Sequence, residues 1–377
     1  MPTLTSESLF KVRLFLEEGR SQDALAILQK TQPQEEEASY DVAYLRGWCF
    51  ILNRRWDDAR EALSPLLQEA YKEDPTQEPL PDRERLIMYL LRLGQVAAML
   101  AHYDDARVHF ALCLKMLHDR RIFLPLVRIR AHAFLAMTYL MKGLCSLALH
   151  HYEEALRLSE HYNEESELAN IYYGLCATRQ SLGDFIGAYE AGREALRIYL
   201  DERDELLQIR MYNLLASISA QLTDVEVADD YYAQSLRLAE ERDRPVMIML
   251  NYTGLAELRL QQKRLEEVTT YINKALAYAR QVDDKNMAGS VYISIAKVVL
   301  AMAEETHEAS PETAYARAIE LFQEAEECLK DTQSYVALAE LYGRWGEVLE
   351  RTGQFRESIN CWQSAYLMMK KTKVVEH

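Results

Sequence analysis

The stretch "RMYNLLASISAQ", residues 210–221, carries two patterns at once. Met211, Tyr212, Leu215, Ala216 and Ile218 read as the apolar faces of a buried helix. Arg210, Asn213, Ser217 and Gln221, spaced by three or four residues, form one polar stripe on it. The apolar part recurs. Tyr172, Tyr212, Tyr252 and Tyr292 stand forty residues apart, and Tyr342 continues the column after an insertion. Leu175, Leu215, Leu255 and Ile295 make a second column, and Cys176, Ala216, Ala256 and Ala296 a third, small throughout. A further small-residue column runs almost the whole length: Ala24, Ala59, Ala106, Ala148, Ala188, Ala228, Val268, Ala318 and Ser358. A fixed period of this kind is the signature of a repeat array.

Each unit reads as two amphipathic helices. "YEEALRLSEHY" (152–162) and "YYAQSLRLAEER" (231–242) place apolar residues at i, i+4 and i+7. Short breaks such as "SLGDF" (181–185) and "RTGQF" (351–355) separate the helices. Only 13 Gly and 9 Pro in 377 residues fit long uninterrupted helices. One two-helix unit cannot bury its faces; stacked units bury a continuous core. Two insertions interrupt the array: "YKEDPTQEPLPDRE" (71–84) and "EETHEASPETAYAR" (304–317). The expected organisation is units one and two over 1–70, an acidic Pro-containing loop over 71–84, and units three to nine over 85–377, all one solenoid.

The copies "YLRGWCFILNRRWDDAREAL", "LLRLGQVAAMLAHYDDARVHFALCL", "FLAMTYLMKGLCSLALHHYEEAL" and "YGRWGEVLERTGQFRESINCWQSA" carry Gly47, Phe50 and Ala59, then Gly94, Ala106 and Phe110, then Ala136, Tyr139 and Ala148, then Gly346 and Trp362. This pattern resembles the tetratricopeptide repeat (TPR). The usual TPR unit is 34 residues. A spacing near 40 is similar to the long-helix variant of Rap-type peptide sensors and of the regulatory arrays of some bacterial transcription activators. The resemblance implies an all-α, right-handed superhelical α-solenoid of about nine tandem two-helix units.

Composition narrows the work. A net charge of −16 repels phosphate backbones, so direct nucleic-acid binding is not expected. Basic residues are dispersed, without a membrane-binding tract. The apolar run 287–303 is interrupted by Lys297 and short for a membrane span. Six scattered cysteines without a C-x-x-C pair suit buried free thiols in a reducing compartment, and the N-terminus lacks a secretion signal, so a cytoplasmic location is expected. No glycine-rich phosphate loop, H-E-x-x-H or G-x-S-x-G is present. "HHYEE" (150–154) reads as a solvated helix face and His109 with Cys113 as packing. No enzyme, cofactor or metal is expected.

In TPR arrays the first helix of each unit lines the concave groove. The resemblance maps groove positions onto four columns that vary while the packing columns do not: Asn170, Arg210, Leu250 and Ser290; Tyr173, Asn213, Thr253 and Ile293; Ala177, Ser217, Glu257 and Lys297; Ser181, Gln221, Gln261 and Ala301. Ten of their polar members, Asn170, Tyr173, Arg210, Asn213, Ser217, Gln221, Thr253, Glu257, Gln261 and Lys297, are the candidate partner-binding residues. Side-chain amides offer donors and acceptors that match an extended peptide backbone, and an Arg can grip a carboxylate bidentately. The expected function is a non-enzymatic peptide- or protein-binding scaffold. The alternative is a peptide sensor whose output module is a separate chain, since "LFKVRLFLEEGRSQDALAIL" (9–28) already reads as unit one. The apolar Tyr366, Leu367 and Met369 near the C-terminus offer a surface for pairing with a second copy.

Overall fold

The computed structural model describes residues 6–18, 20–30, 36–66, 80–119, 121–160, 162, 165–305, 311–332 and 334–372. Among these residues the chain forms helices and no strands. The helices are α1 (Ser6–Glu17), α2 (Ser21–Lys30), α3 (Glu36–Leu52), α4 (Trp56–Leu63), α5 (Leu80–Met99), α6 (Tyr103–Met116), α7 (Pro125–Met141), α8 (Cys145–Ser159) and α9 (Glu165–Ser181). They continue with α10 (Phe185–Asp201), α11 (Glu205–Gln221), α12 (Val225–Glu241), α13 (Pro245–Gln261), α14 (Leu265–Ala279), α15 (Lys285–Glu305), α16 (Pro311–Leu329), α17 (Tyr335–Arg351) and α18 (Phe355–Thr372). Odd-numbered helices are the first (A) and even-numbered the second (B) of each unit. The first helices α9, α11, α13 and α15 begin forty residues apart. Residues 80–84, read from the sequence as the end of a loop, instead begin α5; proline signals a loop but is equally at home in a helix's first turn. Residues 71–79 and 306–310 of the two insertions lie outside the described residues.

The chain divides into two compact units, Met1–Tyr139 and Leu140–His377. In the first, Leu45, Leu63, Leu66, Leu90 and Phe110 form a closed core, with Phe110 stacked on Phe134 at 5.8 Å. The second holds α8 to α18. Its small column is buried throughout: Ala148, Ala188, Ala228, Val268 and Ala318 expose nothing, as do Cys176, Ala216 and Ala256. Size matching follows the same register. Gly174 on α9 receives the ring of Tyr152 and Gly254 on α13 that of Tyr232, while Gly192 on α10 admits Leu215. α15 has the length and apolarity of a membrane span, yet Val291, Tyr292, Ile295 and Val298 are buried in the array.

The turns repeat as well. Asp184, Asp224 and Arg264 each donate their amide to the carbonyl five residues back, on Arg179, Ser219 and Arg259, at 2.9–3.0 Å. This 6→1 bond closes each first helix and forces one left-handed residue: Gly183 (φ 80°), Thr223 (φ 62°) and Lys263 (φ 58°). Asp184, Asp204 and Asp224 then cap the helices they precede, accepting from Gly187, Leu207 and Val227. A β-branched Thr in the left-handed region costs about 1–2 kcal/mol. Thr223→Gly is expected to stabilise the chain by about 0.5–1 kcal/mol. Gly183→Ala, where a Cβ meets open space and the cost is conformational alone, is expected to destabilise it by about 1 kcal/mol. Urea midpoints of the two variants should move in opposite directions.

Candidate functional site

Two hairpin reversals make successive first helices parallel. α9, α11, α13 and α15 pack side by side, more closely than the second helices pack on one another. The first helices therefore form the inner row of the second compact unit, with the shorter radius. The same curvature carries the turn after α7 round to α17: a Cβ on Gly143 would stand 3.2 Å from Val336 Cγ2.

The ten candidate residues all lie on these four helices, and the structure divides them. Asn213 is half-buried and donates to Asn251 Oδ1 at 3.0 Å. Asn251, with no exposed surface, donates in turn to Ser235 Oγ (2.9 Å) and to the Met247 carbonyl (2.9 Å). Ser235, equally buried, donates to the Ile209 carbonyl at 2.8 Å. One chain of hydrogen bonds thus joins α11, α12 and α13. Ser217 accepts from Gln180 at 3.0 Å, tying α11 to α9. Lys297 Nζ reaches Glu340 at 2.9 Å, tying α15 to α17. Thr253 is buried and its hydroxyl turns back to the Met249 carbonyl at 3.0 Å. These four spend much of their polarity on the scaffold.

The others keep theirs toward solvent. Asn170, Arg210, Gln221, Glu257 and Gln261 are exposed. Arg210 donates to the Tyr173 hydroxyl at 3.2 Å and its guanidinium lies 5.0 Å from the Tyr173 ring centre, so the Tyr fixes its position and leaves most of its donors free. Tyr199, buried beneath, donates to the Ala169 carbonyl at 3.2 Å. Glu257 is reached by solvent, yet protein closes round it. Loss of solvation holds its carboxyl above the usual range, with nearby Lys297 pulling down and Glu340 pushing up. That combination is what a carboxylate inside a concavity experiences.

Asn251, Ser235, Gln180 and Glu340 escape the column reading, although two of them leave a trace. Asn251 stands in a column of Ile171, Met211 and Val291, and Ser235 in one of Ala155, Ala195 and Ala275. Each is the polar exception in an apolar column, and the two exceptions bond to each other. Elsewhere the chemistry is inert. Burial pushes the Cys113 and Cys176 thiols up to about 12, and among the described residues no cluster of His, Cys, Asp and Glu is arranged to hold a metal.

No protein-family profile matches the chain, and no curated protein does. Solved structures do match along nearly its full length. Apo RapI is 12% identical, with 97% of each chain aligned and a TM-score of 0.62. Apo NprR, a quorum sensor from B. thuringiensis, is 17% identical over 96% of this chain and 98% of its own, with a TM-score of 0.64; NprR bound to its cognate peptide NprX gives 0.62. Aspartyl phosphate phosphatase F from Bacillus subtilis is 14% identical over 100% of this chain and 98% of its own, with a TM-score of 0.56. The chain has the TPR-like helical-repeat fold of these proteins.

The division of the inner row has a direct test. Asn251→Ala removes a buried amide with three partners and is expected to cost about 2–4 kcal/mol. Arg210→Ala, at an exposed position, should stay within about 1 kcal/mol of wild type. Urea unfolding of the purified variants distinguishes the two.

Proposed function

We propose that the chain is a non-enzymatic, cytoplasmic TPR-like protein that receives an extended peptide segment on the inner row of α9, α11, α13 and α15. The observation that carries this reading is the set of exposed amide and charged side chains, Asn170, Arg210, Gln221, Glu257 and Gln261, on an otherwise closely packed and internally bonded row. Amides on three neighbouring helices of the row suit the alternating donors and acceptors of a peptide backbone laid across them. The same fold in NprR holds the peptide NprX, which supports a peptide as ligand. Unpaired cysteines among the described residues agree with a reducing compartment. The phosphatase among the structural neighbours does not favour catalysis here, because the fold is shared by sensors and enzymes alike and function lies in particular residues.

The test uses exposed residues outside the Asn213–Asn251–Ser235 network, of which only Arg210 touches another helix, through its bond to Tyr173. Immobilised full-length chain should capture a peptide or protein segment from lysate of its source. The triple variant Arg210→Ala, Gln221→Ala, Gln261→Ala should lose that capture at least tenfold while its melting curve stays within a few degrees of wild type. Equal capture by the variant, or none by wild type, would sink the groove.

A second reading, a peptide sensor acting on a separate output chain, is favoured by the contact of the Gly143 turn with Val336. Any change in curvature opens or tightens that contact, so binding on the inner row and the spacing of distant repeats are mechanically linked. Small-angle scattering of the full chain should register a change in radius of gyration when the captured peptide is added back. An unchanged profile would leave the scaffold reading and remove the switch.

A further inference from the structure

Among the described residues, two opposite charges on the inner row form no ion pair. The chain holds 59 Asp and Glu against 43 Lys and Arg, and its neighbouring arginines are engaged: Arg179 beside Asp184, Arg242 with Glu205, Arg259 with Asp229 and Glu267. Arg210 is different. Among the described residues no carboxylate lies within ion-pair distance of it, and a neutral Tyr173 holds it in place. Glu257 is likewise without an ion pair, because the adjacent Lys297 is drawn to Glu340 at 2.9 Å.

Their separation follows from the Asn213–Asn251 bond, which sets those positions of the parallel α11 and α13 opposite each other. Arg210 lies three residues before Asn213, and Glu257 six residues after Asn251. Nine residues of helix rise is about 14 Å, and adjacent axes are about 8–10 Å apart. Their backbone positions are therefore about 16 Å apart, a span of four or five extended residues. Asn213 stands between them.

Resting on the reading of this row as a peptide groove, the geometry points to a defined ligand class and direction. The row takes a short extended peptide with a free carboxylate on Arg210, its terminal carboxylate or an acidic side chain at that end. Four or five residues away, a cationic group, the amino terminus or a basic side chain, faces Glu257. A planar guanidinium already positioned by Tyr173 can grip both carboxylate oxygens. The repeat supplies neither charge by default, since the Arg210 column otherwise holds Asn170, Leu250 and Ser290 and the Glu257 column Ala177, Ser217 and Lys297. The pair is particular to the sixth and seventh units.

The experiment uses full-length protein and one library of randomised hexapeptides in three forms: free acid, C-terminal amide, and N-acetylated free acid. Retained peptides are read by mass spectrometry. Wild type should enrich free acids at least tenfold over amides, with the remaining amides rich in terminal Asp or Glu. Arg210→Gln should abolish that preference, and Arg210→Lys should restore part of it. Glu257→Gln should remove the preference for free amines or for Lys and Arg at the far end, without affecting acids against amides. Equal retention of acids and amides without enrichment of acidic ends, or an unchanged preference in Arg210→Gln, would overturn the polarity and leave the groove standing. Retention of none of the three forms by wild type would overturn both.

Discussion

The side-chain amide of Asn251 binds three helices at one point. It accepts from Asn213 on α11, donates to Ser235 on α12, and donates back to the Met247 carbonyl on its own helix. Ser235 passes the connection to the Ile209 carbonyl. An unpaired amide in that dry position would cost several kcal/mol, so the network tolerates one register of α13 against α11 and α12. Apolar stacking alone is more permissive, since Leu, Ile and Ala faces can slide by a turn with modest loss. The forty-residue period supplies the stacking; the amide and the matched pairs Tyr152 with Gly174 and Tyr232 with Gly254 make the stack unique.

That register determines what the inner row can offer. Because α11 and α13 are locked, Arg210 and Glu257 keep a constant separation without touching each other. Because Gln180 bonds Ser217 and Lys297 bonds Glu340, neighbouring polar groups are consumed inside the scaffold rather than competing for those two charges. A rigid array with a few uncommitted groups loses little order on binding, which is where affinity for a flexible peptide is gained.

Much of this was legible in the chain itself. The Tyr, Leu and small-residue columns gave the helices, their pairing and the number of units, because packing repeats wherever geometry repeats. Nine hairpins among the described residues follow the small column from Ala24 to Ser358. The inner row was legible as positions but not as roles. Asn213 and Gln221 look alike on a helical wheel, yet one is bonded to a buried amide and the other stands free. The difference lies in what faces each residue from the next unit, and that depends on the stagger between parallel helices, a quantity no single-chain periodicity contains. Thr253 was misjudged in the same way: its column faces inward, but the neighbouring helices cover it and its hydroxyl returns to Met249. The paired exceptions Asn251 and Ser235 were visible as two departures from apolar columns, and only their contact explains why they occur together.

A double-mutant cycle on Asn213 and Asn251 tests the account at its centre. Urea unfolding of wild type, Asn213→Ala, Asn251→Ala and the double variant yields their coupling. The account predicts that Asn213→Ala adds little once Asn251 is gone, with a coupling energy of about 1 kcal/mol or more. Additivity within about 0.3 kcal/mol would mean that the two amides do not work as a unit, and would contradict the locked register on which the rest depends.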